Sequence, residues 1–271
     1  QQRMPIQTSK KPSIGEITLK ANALISQAYI SGDPRSVGQA EALIAPYAAI
    51  QSPELGLIRA NIYQSTHRFD QARSELEKIL QQIPHQSDSL FMLANINLVQ
   101  GRFDTAREQC EQLQDASLLV LKMICVAQVD SMTGKLSASA QTISQLMQLN
   151  AGLTDEQQRW LHLIAADLAL RLNDAALAKV VFNTMDGQSA PALTARTDWL
   201  LAHGQWASVK NMLSHSTDND SLLLRLIISE KKQHDPLATQ HAQLLAQRIA
   251  IWRQRGEIAH QREQAQFAYV M

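Results

Sequence analysis

Aromatic residues make up only 5% of this 271-residue chain, and glycine (10) and proline (8) are sparse. The apolar content comes instead from small and straight-chain residues, mostly Leu and Ala, which suit closely packed helices rather than strands. Neither sign of charge prevails: 25 basic and 25 acidic residues are scattered to a formal net charge of +0. No basic run is available to neutralise phosphates, which excludes a nucleic-acid partner. No window approaches the roughly 18 apolar residues that a membrane span requires, so no membrane insertion is expected. A Gly-rich phosphate loop, Gly-x-Ser-x-Gly and His-Glu-x-x-His are all missing, so neither an enzyme nor a cofactor is expected. Metal chemistry is equally unsupported. His234 and His241 lack a third ligand nearby and read as solvated histidines, while Asp218-Asn219-Asp220 reads as a capped helix start rather than a calcium loop.

What the chain does have is repetition. Arg59-Ala60-Asn61-Ile62 precedes Arg68-Phe69-Asp70-Gln71-Ala72-Arg73, and 34 residues later Leu93-Ala94-Asn95-Ile96 precedes Arg102-Phe103-Asp104-Thr105-Ala106-Arg107. A fixed period of this length marks stacked helix–turn–helix units. The units 53–86 and 87–120 are the clearest. In each, a first helix carries a small residue midway (Ala60, Ala94), a tight turn follows, and a second helix opens with Phe69 or Phe103 and holds Ala72 or Ala106. Backbones that cross closely need small side chains at the crossing and a ring to fill the wedge beside it. Because packing and the helix dipole account for Arg68-Phe69-Asp70, this triplet and its copy read as structural.

These residues match the pattern of the tetratricopeptide repeat. The resemblance implies an all-α, right-handed solenoid of antiparallel helix pairs with no sheet, about fourteen or fifteen helices in all. Residues 14–271 then form one solenoid behind a loose arm at 1–13. Looser units surround the clear ones: Ser31-Gly32-Asp33-Pro34 stops an early helix, and Ala127, Gly134, Ala166, Ala178, Phe182, Gly204 and Trp206 mark later ones. A last pair ends in a long helix closed by Gly256. Gly56, where a large residue is usual, and Asn97, in place of an aromatic, depart from the pattern. Glu257–Met271 reads as a first helix without a partner, as if a C-terminal unit were cut off. Ser31-Gly32-Asp33-Pro34-Arg35 and Arg255-Gly256 through His260-Gln261-Arg262-Glu263 also resemble a group of functionally unassigned bacterial repeat proteins. That likeness implies an exported, periplasmic location, with the cytoplasm as the alternative.

In this family the first helices line a concave face. There Asn61, Gln64, Asn95, Gln128, Asp167 and Asp198 recur from unit to unit, with Leu57, Phe91, Leu98 and Ile124 on the same face. Amides both donate and accept, so such a row could hold the backbone of an extended peptide. A merely solvated groove explains them as well. A clamp for a C-terminal carboxylate is not supported, because Leu57 stands where it wants a lysine. Cys110 and Cys125 fall on helices that pack together and are either two reduced core thiols or, after export, a disulfide. Two functions follow: a non-enzymatic scaffold or adaptor that binds a protein or peptide segment in its groove, or a structural subunit making permanent contacts in a larger, envelope-associated assembly.

Overall fold

The computed structural model describes residues 12–149, 153–254 and 261–271, and it contains no strand among them. The first four helix pairs are α1 (Ile14–Ser31) with α2 (Arg35–Ile44), α3 (Pro53–Ser65) with α4 (Phe69–Gln82), α5 (Ser87–Val99) with α6 (Phe103–Glu111), and α7 (Leu119–Met132) with α8 (Leu136–Gln148). They are followed by α9 (Asp155–Leu172) with α10 (Ala175–Thr184), α11 (Ala190–Ala202) with α12 (Trp206–Leu213), and α13 (Asp220–Lys232) with α14 (Leu237–Gln254). A single helix, α15 (Gln261–Val270), packs on α13. Residues 1–11 of the expected N-terminal arm, and Gly256, lie outside the described residues.

Local chemistry sets the helix ends. Ser13 and Glu16 form a capping box at α1, and Thr154 and Gln157 form another at α9, each satisfying backbone N–H groups that have no helical partner. Ser52 caps α3 ahead of Pro53, whose missing N–H costs nothing in a first turn. Every pair turns through one residue in the left-handed region: Gly32, His67, Gly101, Gly134, Asn173, Gly204 and His234. Only two of the three non-glycine examples are histidines, and the third, Asn173, is of a type that tolerates this conformation well. His234 is thus an exposed turn residue, as a solvated reading requires. His241 corrects that reading, because its Nδ1 lies 2.9 Å from the buried Glu230 carboxylate.

The core is a string of clusters along the solenoid axis, as expected when each unit touches only its neighbours. Ala60 and Ala72 are fully buried where α3 crosses α4, and Ala94 and Ala106 repeat this between α5 and α6. Leu76, Ile96, Ile143 and Leu168 are also fully buried, each worth roughly 1.5–3 kcal/mol relative to exposure. Both departures from the repeat pattern are compensated. A Cβ on Gly56 would sit 3.0 Å from Ile79 Cδ1, so Ile79 fills the room a larger residue would occupy. Buried Asn97 donates to Gln109 at 2.9 Å, replacing a ring by a satisfied amide pair.

Charges on the second helices tie neighbouring helices together. Arg59 and Glu75, both largely buried, pair at 2.6 Å between α3 and α4. Arg107 of α6 reaches Asp130 of α7. The same position of α4 and α12, Arg73 and Lys210, reaches Gln100 and Asp235 in the next pair.

The superhelix is tight enough for its first pair to meet its sixth and seventh. Helix α1 packs on α11, and Asn219, the N-cap of α13, donates to the Ser31 carbonyl at 3.2 Å across 188 residues of sequence. Gly32 makes this approach possible: a Cβ there would lie 2.1 Å from Asn219 Nδ2 and 3.2 Å from the Ala190 Cβ.

Candidate protein-interaction site

The odd-numbered helices present an inner face, and the left-handed turn residues set the register along it. Counting back six residues from His67, Gly101, Gly134, Asn173 and Gly204 gives Asn61, Asn95, Gln128, Asp167 and Asp198. One turn earlier stand Leu57, Phe91 and Ile124; three residues later stand Gln64 and Leu98.

The structure treats these residues differently. Asn61, Gln64, Asn95 and Gln128 are all half-buried. Among the described residues, the side chains of Asn61, Gln64 and Gln128 have no hydrogen-bond partner. Asn95 uses only its Nδ2, which donates to Phe91 O at 3.2 Å within α5 and leaves its oxygen free. Leu57 and Leu98 are half-buried against their own clusters.

Three expectations need correction. Ile124 is fully buried among Ile143, Leu161 and Ile164, so it is core and offers no surface. Phe91 is covered on one side by Trp160 of α9, ring centroids 4.6 Å apart and edge to face. Asp198 is not a free acceptor: its two oxygens each accept from Arg225 at 2.7 Å, and Arg225 is only 2% exposed. Asp167 remains exposed and pairs with Arg171 one turn along at 3.1 Å.

Trp160 and Arg225 are the inner-face residues that reading the sequence missed. Trp160 lies near the start of α9, which has 18 residues against 13 in α3 and α5. The Thr154–Gln157 spacing is the signal for that early start. Arg225 interrupts the run Leu222–Ile228, and a lone arginine inside an apolar run signals a buried, paired charge. Tyr29, on α1, faces the same region. Burial pushes its phenol above the ordinary value, Arg159 pulls it down and Glu156 raises it, so it stays neutral near pH 7.

Cys110 of α6 and Cys125 of α7 are joined by a disulfide, with Cα atoms 5.6 Å apart and both residues buried. It ties two consecutive repeats. Among the described residues no cluster of His, Cys, Asp or Glu could hold a metal ion, and no helix is long and apolar enough to cross a membrane.

Residues 64–117, from the end of α3 past the end of α6, match the family model of the tetratricopeptide repeat. This stretch carries the tetratricopeptide repeat, within a solenoid of helix pairs. The solved structure of a tetratricopeptide repeat protein from Parabacteroides merdae ATCC 43184 superposes on it with a TM-score of 0.55. The match covers 95% of this chain and 98% of that one at 12% identity, a likeness of fold alone. No curated protein matches the sequence. Tetratricopeptide repeats generally mediate contacts between proteins and are generally non-catalytic.

Proposed function

We propose that this repeat protein is a non-enzymatic scaffold or adaptor that holds a protein or peptide segment along its inner face. The observation that carries the reading is the set of half-buried amides at Asn61, Gln64, Asn95 and Gln128, whose hydrogen-bonding capacity is left mostly unused by the chain itself. A protein side chain that is partly desolvated yet unpaired gains from a partner that supplies the missing bonds. Leu57 and Leu98 add apolar contact beside the amides. The Cys110–Cys125 bridge supports an exported location, because disulfides persist in oxidising compartments.

The test is capture of the partner from the native cell, followed by titration against the double variant Asn61→Ala/Asn95→Ala. Two lost hydrogen bonds at about 0.5–1.5 kcal/mol each weaken binding roughly 5- to 150-fold, with helicity unchanged and little dependence on salt. Wild-type affinity in that variant overturns the reading. A second reading, a structural subunit with permanent contacts, is favoured by α15. That helix leaves Tyr269 92% exposed. A stable co-purifying partner lost on replacing Tyr269, but not Asn61 and Asn95, would select it.

A further inference from the structure

The seam where the first pair meets the sixth and seventh is built differently from the interfaces between neighbouring pairs. Consecutive pairs share apolar clusters: one joins α1, α2 and α3, the next α3, α4 and α5, and another α7 to α10. Among the described residues no apolar cluster crosses the seam. Ala190, at the start of α11, belongs to the cluster of α11–α14, and Ala28 of α1 belongs to that of α1–α3.

What crosses it is small and polar. Asn219 donates to the Ser31 carbonyl at 3.2 Å, and Gly32 has no Cβ to strike Asn219 or Ala190. Arg35, held chiefly by Asp33, is also drawn towards Asp218 on the far side. Ser31, Gly32, Arg35 and Asp218 are all exposed. Helix α1 docks by its C-terminal end, and Asn22, Ser26 and Tyr29 along its inner face stay exposed. A contact with few buried apolar groups and exposed polar bonds belongs at the low end of local opening free energies. In an array whose units are held by their neighbours, releasing it leaves each helix pair intact.

We propose that this seam is a clasp, which opens to pass an extended partner segment sideways into the coil and closes behind it. Helices α3, α5 and α7 lie on the arc between its two sides, so the seam closes the slot between successive turns of the coil. Access from the side then requires opening, and an extended chain needs the narrowest opening. Where the segment comes to rest depends on the inner-face reading above; the opening itself does not.

The test measures the seam in the full 271-residue chain by double electron–electron resonance. The native cysteines are bridged, so nitroxide labels go only to introduced ones. Gln27→Cys and Gln243→Cys, both exposed, span the seam from α1 to α14, and Gln81→Cys with Glu108→Cys spans the neighbouring α4 and α6. Asn219→Ser and Asn219→Asp keep an oxygen to cap α13 at Leu222 but lose the donor to Ser31, and Asp also sets a carboxylate against that carbonyl. Wild type should show a short and a long distance across the seam. Losing one hydrogen bond should raise the long-to-short ratio about 2- to 12-fold in Asn219→Ser, and more in Asn219→Asp, with the α4–α6 distance single throughout. Passage is read by the rate at which Gln64→Cys, on the inner face, reacts with a maleimide on a long polyethylene glycol chain. That rate should rise with the open population, whereas N-ethylmaleimide should react equally in all variants. A seam distance or ratio that neither variant moves overturns the clasp, as does a split α4–α6 distance, which would mean general loosening. An unchanged rate for the long reagent overturns it too, since entry would then bypass the seam. If these outcomes hold while Asn61→Ala/Asn95→Ala binds the captured partner like wild type, only the inner-face reading falls. Circular dichroism checks that each variant keeps its helices.

Discussion

Replacing Asp198 by Ala removes the one carboxylate ion-paired, among the described residues, with a guanidinium that is 2% exposed. Arg225 makes four short contacts: Nε and Nη2 to the two Asp198 oxygens at 2.7 Å, and Nη1 to the carbonyl and hydroxyl of Ser221 at 2.8 Å. The Ser221 contacts survive the substitution, but half the hydrogen bonds and the directly paired carboxylate are lost. Breaking a buried pair from one side costs about 3–5 kcal/mol, whereas an apolar residue of similar volume is often nearly neutral. Asp198→Ala should therefore destabilise α11–α13 by that amount. Arg225→Met should cost far less, since Asp198 retains access to water. In the double variant Asp198→Ala/Arg225→Met most of the loss should be recovered. Repeat arrays unfold locally, so hydrogen exchange of α11 and α13 amides is the better assay, with urea unfolding as support. An Asp198→Ala cost below about 1 kcal/mol, or an equal cost for Arg225→Met, would refute the clamp and return Asp198 to the pool of free acceptors on the inner face.

Three further outcomes are expected. Reducing the Cys110–Cys125 bridge, whose ends are 15 residues apart, should cost about 3 kcal/mol, and denatured, unreduced protein should show no reactive thiol. Two reactive thiols in that titration would contradict the bridge. His162, 7% exposed with Nε2 3.3 Å from the Thr184 hydroxyl, is held below its ordinary pKa by burial. The unfolded chain takes up the proton at about 6.5 while the folded chain resists it, so this stability is present above about pH 6.5 and lost below it. His162→Gln should flatten the fall in denaturation midpoint between about pH 7.5 and pH 5, and an unchanged slope would show that His162 is not its source. Gly32→Ala should cost roughly 1–2 kcal/mol for its left-handed backbone and also push α1 off Asn219 and Ala190. Unchanged exchange protection in α1 would mean that the cross-solenoid contact carries no stability.

Much of the architecture was legible because its causes are local. Small residues at Ala60, Ala72, Ala94 and Ala106, the aromatic helix starts at Phe69 and Phe103, and stops such as Gly32 act within one unit, so period and spacing expose them. The non-glycine turns were harder to see. His67, Asn173 and His234 adopt the left-handed backbone that a sequence reader assigns to glycine, and only the coordinates show that all seven pairs turn alike. The inner-face residues were legible as a row but not as chemistry. Position alone put Asp198 beside Asn61 and Asn95. Whether it is free depends on Arg225, 27 residues on, and that pairing is set by how α11 packs on α13. Phe91 failed for the same reason: Trp160 reaches it from two pairs away, a contact set by how α9 comes to lie on α5.

Long-range closure explains why these errors fell where they did. An open solenoid would leave every first helix equally available, and a row of equivalent positions would then be a row of equivalent sites. Here the coil brings α1 onto α11 and α9 onto α5, so the inner face is divided by its own contacts. In the C-terminal pairs the polar positions are consumed, Asp198 by Arg225 and Asp167 by Arg171. The spare hydrogen-bonding capacity stays at Asn61, Gln64, Asn95 and Gln128, in α3, α5 and α7. A partner on the inner face thus gains most from hydrogen bonds to these pairs, and apolar gain at Phe91 requires that Trp160 first be displaced. Edge-to-face aromatic pairs contribute about 0.5–1.5 kcal/mol beyond burial, so the displacing group must itself be large and apolar to break even. On the proposed inner-face reading, the amides would set where a segment lies, and Trp160 would set a threshold on what could lie there.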